Sequence, residues 1–441
     1  MSSIDGVYLG VDVGTGSVRA GLFDARGRML GAGSSAIELF HPAPDFVEQS
    51  SDDIWRAAGV AVRAALAAGG VSAERVRGVG FDATCSLVAL DESDAPTTVS
   101  PSGSAAQNVI VWMDHRAVEQ AARINAGEHA VLRYVGGTIS PEMETPKLLW
   151  LKERMPGAYD ATARFFDLPD FLVYRATGVD ARSICTTTCK WTYLGHDALA
   201  GRPGWDASYF RAIGLGDLAD AGFARIGEVV RPLGERAGVL TAKAAAELGL
   251  AAGTPVSIAI IDAHAGGLGV LGAPVDGLAP TDDSIDERLA LVGGTSTCHM
   301  AASREPRFVP GVWGPYFSAM LPGLWLTEGG QSATGALIDH VIDTHARGAE
   351  LRDRARREGT TAYALLNAAL DDLAKGARSP GELAKDLHVL PDHHGNRSPR
   401  ADPSLRGMIS GLKLEGDVRA LALLYLATIQ AIAHGTRHVV D

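Results

Sequence analysis

The sequence predicts a two-domain α/β protein, and three observations support this prediction. The chain has 441 residues, a length that usually divides into two or more domains. Near the N-terminus, short strand-like segments alternate with helix-like segments, which is typical of mixed sheets flanked by helices. An apolar run that enters a Gly-Thr turn occurs at 9–17 and again at 289–297. We interpret this as a weak internal repeat that predicts two related domains, 1–270 and 271–441.

The N-terminal segments predict the first sheet and its helix. The first three strand candidates are separated by tight turns, so they predict an antiparallel meander. A helix follows, with an acidic first turn and apolar residues at helical spacing. The predicted strands are 7–13, 17–24, 28–37, 76–82 and 87–90, and the predicted helix is 52–68.

Three later segments complete the coarse prediction. A helix is predicted over 142–153, with Pro146 in its first turn, where a missing N–H costs little. A short helix is predicted over 242–248. An almost wholly apolar strand is predicted over 256–262, and it ends at Asp262.

The composition excludes several classes of protein. Hydrophobic residues make up 46% and charged residues 21% of the chain, which is typical of a globular protein with a sizeable core. A net charge of -12 argues against a general nucleic-acid or anionic-membrane binder, because neither partner would be attracted. Neither a signal peptide nor a long uncharged apolar span is evident. The 4 cysteines are sparse and favour a reducing, cytoplasmic compartment, with Cys185 and Cys189 as buried thiols rather than zinc ligands.

The first Gly-Thr turn is a candidate phosphate-binding loop. Glycines permit a sharp turn and bring backbone N–H groups against phosphate oxygens. Asp12, just before the turn, could hold Mg²⁺ through water, since Mg²⁺ dehydrates reluctantly. An ordinary Gly-rich hairpin is the alternative interpretation of the same pattern. The residues predicted to bind nucleotide or phosphate here are Asp12, Gly14, Thr15, Gly16 and Ser17.

The second Gly-Thr turn favours the phosphate-binding interpretation over the plain hairpin. Two such loops facing each other could clamp the phosphates of a nucleotide. Neither loop matches the P-loop pattern or the dinucleotide-binding pattern of glycines, so both of those folds are disfavoured. The predicted phosphate-binding residues of this loop are Gly294, Thr295, Ser296 and Thr297.

Asp262 is the candidate general base. A carboxylate that ends an apolar strand is costly unless it is paired, hydrogen-bonded or used in chemistry. Phosphoryl transfer needs a group that accepts the proton of the attacking hydroxyl, although a helix N-cap would also explain an Asp at this position. His264 is expected to be structural or positioning. Lys190 and Glu328 either are solvated charges or hold hydroxyl groups in a sugar pocket.

These segments, taken in order, resemble the FGGY family of carbohydrate kinases, and more specifically its ribulokinase-like branch. The resemblance covers essentially the whole chain, which makes it far more specific than a single Gly-Thr motif. The matching segments are GVDVGTGSVRAGLFD at 10–24, FDATCSLVALD at 81–91, VWMDHRA at 111–117, GGTISPEMETPKLLWL at 136–151, TCKW at 188–191, IDAHAGGLGVLG at 261–272, GGTSTCHM at 293–300, EGGQSATG at 328–335 and GNRSPRADPSLRGMISGL at 395–412.

The resemblance implies a fold, a reaction and cofactors. The fold is the actin-like, ribonuclease-H-like ATPase fold, with mixed sheets flanked by helices and a cleft between a sugar-binding and a nucleotide-binding domain. The reaction is ATP- and Mg²⁺-dependent phosphorylation of a terminal sugar hydroxyl. The resemblance makes Asp262 the general base and, with Asp12, a site for Mg²⁺. Partners other than the ketose and ATP are not implied, and a homodimer is one option for the assembly.

The resemblance also implies a sugar site. Lys190, Asp262 and Glu328 match the positions that hold a ribulose-like substrate, and Ala83, Thr84 and Cys85 close one side of it. The Thr-Cys-Ser stretch at 84–86 resembles the D-ribulose kinase subgroup. D-Ribulose is therefore the first substrate expected, ahead of L-ribulose and xylulose or another polyol.

One departure from the family pattern concerns the C-terminal end. Family members usually continue beyond a segment such as Gly435-Thr436-Arg437-His438, and that continuation supplies a glycine-rich turn for adenine. The C-terminal domain is therefore expected to be incomplete. This leaves two alternatives to an active ketose kinase, namely a non-catalytic sugar-binding remnant and an actin-like ATPase without a sugar. The sugar-pocket residues argue against the ATPase.

Overall fold

The computed structural model describes residues 6–275, 277–278, 281, 284–375, 377–400, 402 and 404–441. It divides into two compact units that exchange short segments of chain between positions 286 and 327. The boundary predicted after residue 270 stays a prediction. The first unit comprises Met1–Asp286, Ala302–Phe308 and Gly314–Leu326, and the second comprises Glu287–Ala301, Val309–Trp313 and Thr327–Asp441.

The regular elements of the described residues are numbered here in chain order. The strands are β1 (Val7–Val13), β2 (Ser17–Asp24), β3 (Met29–Ala36), β4 (Glu48–Gln49), β5 (Val76–Ala83), β6 (Leu87–Leu90), β7 (Val109–Ile110), β8 (Arg164–Asp167), β9 (Arg182–Ser183), β10 (Val230–Arg231), β11 (Arg236–Val239), β12 (Pro255–Ser257), β13 (Ile260–Ile261), β14 (Leu289–Gly293), β15 (Thr297–Ser303), β16 (Trp313–Phe317), β17 (Trp325–Gln331), β18 (His388–Leu390) and β19 (Met408–Ser410). The helices are α1 (Ser51–Gly69), α2 (Val118–Asn125), α3 (Glu144–Arg154), α4 (Pro156–Ala161), α5 (Leu168–Thr177), α6 (Ile184–Lys190), α7 (Gly195–Leu199), α8 (Ala207–Ala212), α9 (Gly216–Asp220), α10 (Ala242–Leu248), α11 (Asp262–Leu271), α12 (Gly335–Thr344), α13 (Gly348–Glu358), α14 (Ala362–Ala374) and α15 (Val418–Val440).

The main sheet of the first unit is mixed, as the sequence predicts. Its strands run in the order β11-β12-β5-β1-β2-β3, and β13 pairs with β5. β1, β2 and β3 form the predicted antiparallel meander. β1, β12 and β13 are all parallel to β5. The carboxyl ends of β1, β5 and β13 therefore meet at one edge of the sheet.

Helix α1 packs directly on the meander because β3 carries glycines where the two elements meet. A Cβ on Gly31 would lie 2.5 Å from Ala65 O, and one on Gly33 would lie 2.4 Å from Ala61 O. The helix begins after Ser50, whose side chain accepts a hydrogen bond from Asp53 N, and ends before a left-handed Gly70. The apolar face of α1 is buried in the core of this unit.

The strand predicted over 256–262 is interrupted. β12 ends at Ser257, and the N–H of Ile258 turns to donate to Glu235 O at 2.9 Å. Only Ile260 and Ile261 then rejoin the sheet as β13. Asp262 is therefore the first residue of helix α11 rather than the last residue of a strand.

The second unit combines a hairpin with a small helical core. β14 and β15 pair antiparallel as a hairpin. α15 packs its buried side chains against α12 and α14, through residues such as Leu421, Leu366 and Ile342. Among the described helices, α15 is long and apolar enough to cross a membrane by length and composition. Core helices pass the same test, so this is weak evidence for a membrane span.

Candidate functional site

Three carboxylates gather where the parallel strands of the first unit end. Asp12 on β1 lies directly opposite Asp82 on β5, and Ile260 on β13 lies opposite Asp82 from the other side. Residues in register on parallel strands present their side chains on the same face. Asp262 comes directly after β13, and its charge acts on Asp82 while that of Asp12 acts on Asp262, so it lies near the other two. We call Asp12, Asp82 and Asp262 the acidic edge.

The acidic edge brings three carboxyl groups together in a partly buried place. Burial, together with the charges of Asp12 and Asp262 and a hydrogen bond to Asp12, raises the pKa of Asp82 to about 9. Burial also raises the pKa of Asp262 to about 6, with Asp12 adding to the rise and Lys190 opposing it. A carboxyl group whose pKa is raised by neighbouring carboxylates favours a bound cation or a shared proton.

The positive groups near the acidic edge do not cancel this charge. Arg19 Nη1 lies 3.4 Å from Asp12 Oδ2, but its side chain is 70% exposed, and exposed pairs of this kind contribute little. In the part of the chain that the structure describes, no three His, Cys, Asp or Glu side chains converge closely enough to bind a metal directly. Mg²⁺ usually keeps several of its waters when it is bound by carboxylates, so a Mg²⁺ site at this edge stays a prediction.

Asp262 is held at the start of α11 by its own backbone and by its neighbours. Its Oδ1 accepts a hydrogen bond from Ala263 N at 2.7 Å, and the residue just before the helix makes no capping hydrogen bond with its side chain. The side chain of Asp262 thus satisfies one of the first N–H groups of α11, so the capping and the catalytic interpretations of this residue both stay open. Buried His264 lies one residue further on, with Nδ1 3.1 Å from Cys185 Sγ and 3.2 Å from Ala319 O. This placement agrees with a structural or positioning role for His264.

The first Gly-Thr turn joins β1 to β2 and is braced by side chains. Gly14 N donates to Ser17 O at 3.0 Å. Trp112 Nε1 donates to Thr15 Oγ1 at 3.0 Å, and Gln49 Nε2 donates to Thr15 O at 2.7 Å. Gly14 and Gly16 do not adopt a positive φ, so the turn itself does not require glycine.

The second Gly-Thr turn joins β14 to β15 and is braced by a helix. Thr334 N donates to Thr295 O at 2.9 Å, and Gly335 N donates to Gly294 O at 3.1 Å. Thr334 Oγ1 also lies 2.8 Å from Thr297 Oγ1. Ser296 O accepts from Gly294 N at 2.8 Å. The first N–H groups of α12 are thus used by the turn.

Both turns leave room for a ligand against the glycines. A Cβ on Gly16 would meet nothing within 4 Å, and one on Gly14 or Gly294 would make only ordinary contacts. Glycines that neither sterics nor φ requires are expected where something outside the chain approaches the backbone. Phosphate groups bound by backbone N–H groups are such a ligand, so these residues fit a nucleotide.

The predicted sugar-binding residues of the first unit lie beside the acidic edge. Thr84 N donates to Val13 O at 3.0 Å, which ties the Ala83–Thr84–Cys85 stretch to the end of β1. Burial raises the pKa of the Cys85 thiol, so it stays neutral. Lys190 is the last residue of α6, and its charge acts on both Cys85 and Asp262. Glu328 lies half-buried on β17 in the second unit.

The sequence interpretation missed several charged residues next to this site. Asp82 ends the predicted strand 76–82 just as Asp262 ends the predicted strand 256–262. The same sequence pattern therefore points to both residues. Glu144, Lys147 and Asp167 are fully buried, although charged side chains at helical spacing normally indicate a solvated face. Asp167 comes directly after the apolar pair Phe165-Phe166, which was the one local hint of its burial.

Most of the chain matches the two domains of one protein family. The N-terminal domain of the FGGY family of carbohydrate kinases matches residues 7–269, and the C-terminal domain of that family matches residues 289–441. A human FGGY carbohydrate kinase domain-containing protein is 52% identical over 438 residues, which cover 98% of this chain and 78% of the human protein. A D-ribulokinase of Saccharomyces cerevisiae is 41% identical over 454 residues, which cover 98% of this chain and 64% of the yeast protein.

Solved structures agree with this assignment at the level of the fold. A xylulose kinase from Rhodospirillum rubrum superposes with a TM-score of 0.75 at 22% identity, covering 98% of this chain and 78% of that one. A glycerol kinase from Plasmodium falciparum with ADP gives 0.73 at 13% identity, covering 99% and 78%. The chain therefore has the actin-like ATPase fold predicted for it, and it belongs to the FGGY family of carbohydrate kinases.

Proposed function

We propose that this carbohydrate kinase phosphorylates the terminal hydroxyl of a ketopentose, and that it converts D-ribulose and ATP to D-ribulose 5-phosphate and ADP. The 41% identity to a D-ribulokinase over 98% of the chain supports this choice of sugar, as does the Thr-Cys-Ser stretch at 84–86. The observation that carries the reaction type is the acidic edge at the ends of β1, β5 and β13.

We assign Asp262 as the general base that accepts the proton of the attacking sugar hydroxyl. The terminal hydroxyl oxygen of the ketose attacks the γ-phosphorus of ATP, the new O–P bond forms, and the bond from that phosphorus to the leaving oxygen of ADP breaks. The hydroxyl proton passes to the carboxylate of Asp262. A pKa of about 6, raised mainly by burial, leaves this carboxylate ionised at neutral pH yet basic enough to accept a proton.

Asp12 and Asp262 would hold Mg²⁺ through water at the acidic edge. When bound, this ion would neutralise the charge that develops on the phosphate oxygens. Asp82 shares a hydrogen bond with Asp12, and with its raised pKa it remains protonated at neutral pH. In that state Asp82 acts as a donor that orients the Asp12 carboxylate.

The two Gly-Thr turns are assigned to the phosphates of ATP. Their backbone N–H groups and their Thr and Ser hydroxyls are donors, and the space against Gly16 and Gly294 admits a ligand. Sugar binding is assigned to Lys190, Glu328 and the Ala83–Thr84–Cys85 stretch, as the family resemblance implies. Nothing in the comparisons favours the non-catalytic remnant.

A coupled assay of ADP release tests the proposal. The protein is incubated with ATP, Mg²⁺ and one sugar at a time, taken from a panel of D-ribulose, L-ribulose, D-xylulose, pentitols and aldopentoses. D-Ribulose is expected to give the highest kcat/KM. A higher value with another ketose would overturn the choice of sugar and leave the kinase assignment standing.

A single variant tests the mechanism. Asp262→Asn is expected to keep its affinity for the sugar but to lower kcat by about two to four orders of magnitude, the usual contribution of a general base. Asp339→Asn is the control, because it neutralises a carboxylate of α12 that pairs instead with Arg352 at 2.8 Å. Turnover by Asp262→Asn that matches the control would refute Asp262 as the base.

A further inference from the structure

Asp167 occupies a helix N-cap position but does not cap its helix. It is the residue before α5, and no side-chain hydrogen bond is made to the first turn. An Asp at this position ordinarily accepts a hydrogen bond from the second or third N–H of the helix. The side chain of Asp167 instead lies next to Trp191, with Nε1 of Trp191 3.3 Å from its Oδ2.

This contact connects Asp167 to the predicted sugar ligand Lys190. Trp191 directly follows Lys190, so Asp167 holds the residue next to the end of α6. On its other side, Asp167 lies opposite Leu87 in the β6–β8 pair. Leu168 N donates to Ser86 O at 2.8 Å, which ties the same segment to the end of the Thr84–Cys85–Ser86 stretch. Asp167 therefore lies at the junction of two of the predicted sugar-binding segments.

A buried group of charges surrounds this junction. The side chains of Glu144 and Lys147 are fully buried, with Lys147 Nζ 3.4 Å from Glu144 Oε1. Within the described residues, Glu144 Oε2 and Asp167 Oδ1 have no hydrogen-bond partner although water cannot reach them. Burial raises the pKa of both carboxyl groups, while the ammonium groups of Lys147 and Lys190 oppose that rise.

Such an arrangement is costly to fold and therefore needs a reason. Buried carboxylate oxygens without donors lower stability, and a fold that needed only to pack would place apolar side chains here. Asp170, three residues further on, shows the contrasting structural case. Its oxygens accept from Ser183 N at 2.8 Å and from Thr186 Oγ1 at 2.6 Å, which anchors the start of α6.

We infer that Asp167, backed by Glu144 and Lys147, is a positioning residue that fixes the ammonium group of Lys190 for a hydroxyl of the sugar. Asp170 anchors the first turn of α6, and Asp167 holds the segment just after its last residue. The orientation of Lys190 is thereby set from both ends of a short helix. This inference rests on the proposed function, since it takes Lys190 to contact the sugar.

A double-mutant cycle tests the inference. The variants are Asp167→Asn, Lys190→Met and the pair combined, and the measurements are calorimetric titration with D-ribulose and kcat/KM from ADP release. Asp167→Asn alone is expected to weaken sugar affinity about tenfold, whereas in the Lys190→Met background it should change affinity by less than about twofold. An equal loss in both backgrounds, or no loss in the first, would overturn the inference.

A control variant tests whether neutralising any buried carboxylate is enough to weaken sugar binding. Glu48→Gln neutralises another fully buried carboxylate, which pairs with Arg116 at 2.8 Å and has one oxygen without a partner among the residues that the structure describes. It is expected to leave sugar affinity within about twofold of the unmodified protein. A loss equal to that of Asp167→Asn would make the effect non-specific and overturn the inference.

If Asp167→Asn does not fold, Trp191→Phe takes its place in the double-mutant cycle. It removes the N–H that faces Asp167 together with part of a fully buried ring, so any general packing loss should be equal in the two backgrounds. The loss that passes through Asp167 is expected to weaken sugar affinity several-fold more when Lys190 is present than in the Lys190→Met background. Retained affinity in Trp191→Phe would contradict the inference. An unmodified protein that releases no ADP with any sugar would instead count against the proposed function, which is a separate result.

Discussion

The two Gly-Thr turns have similar sequences but are supported in different ways. The turn between β1 and β2 is held by the side chains of Gln49 and Trp112. The turn between β14 and β15 is held by the first backbone N–H groups of α12 and by Thr334. The same local pattern therefore predicts the turn, but it does not predict what braces it.

The turns differ most at one matched position. When the two segments are aligned on their Gly-Thr pairs, Asp12 of the first corresponds to Val292 of the second. The carboxylate before the turn is thus present in the first unit only, where it joins the acidic edge. The proposed charge chemistry therefore has a carboxylate available before the first turn and none at the matched position of the second.

Among the variants that compare the two turns, the largest effect is expected from the loss of the carboxylate that only the first turn has. Asp12→Asn should lower kcat/KM by about 100-fold to 1000-fold, as the loss of one preorganised charge-stabilising group commonly does, and should weaken Mn²⁺ binding measured by electron paramagnetic resonance. Val292→Thr, at the matched position of the second turn, should change either quantity by about twofold at most. Equal losses in the two variants would remove the proposed division of roles.

Glycine substitutions give the next largest effect and separate packing from ligand contact. Gly335→Ala would place a Cβ 2.5 Å from Gly294 O, so thermal unfolding should show a loss of about 1–3 kcal/mol, with a raised KM for ATP. In Gly16→Ala the added Cβ meets nothing within 4 Å, so stability should be unchanged. Its KM for ATP should nevertheless rise, because the space belongs to the nucleotide. An unchanged KM in Gly16→Ala would contradict that assignment.

Local pattern predicted most of the elements that build the first sheet. β1, β2, β6 and α10 have the bounds that were expected, because each is a periodic run bounded by clear turn or cap signals. The prediction of one continuous strand over 256–262 was wrong. A continuous apolar run does not reveal that Ile258 leaves the ladder to bond with Glu235, or that Asp262 begins a helix.

The site could be predicted only as far as single segments reveal it. Asp12 and Asp262 were found because each follows an apolar run. Asp82 carries the same local signal at the end of the predicted strand 76–82, but its place beside Asp12 follows only from the parallel pairing of β5 with β1 and β13. Glu144, Lys147 and Asp167 were missed for a related reason. Their burial depends on tertiary packing that overrides the usual exposure of charged residues.

The pH dependence of activity should arise in the first unit. Asp262 accepts a proton only as a carboxylate, and burial raises its pKa to about 6. The value of kcat/KM should therefore fall towards tenfold per pH unit below about pH 6 and level off above it. Near the second turn, burial lowers the pKa of His299, so this residue stays neutral at neutral pH. An acid limb that disappears in His299→Gln would assign the titration to the second unit instead.

The smallest effect is expected from the hydrogen bonds that brace each turn. Thr334→Val removes the hydroxyl 2.8 Å from Thr297 Oγ1, and Trp112→Phe removes the donor 3.0 Å from Thr15 Oγ1. Each loss should cost about 0.5–1.5 kcal/mol, seen as a several-fold rise in the KM for ATP with sugar affinity unchanged. If the turns hold the phosphates independently, the two effects should add in the double variant. An effect of the double variant no larger than that of either single variant would show that the turns grip the nucleotide as one cooperative unit.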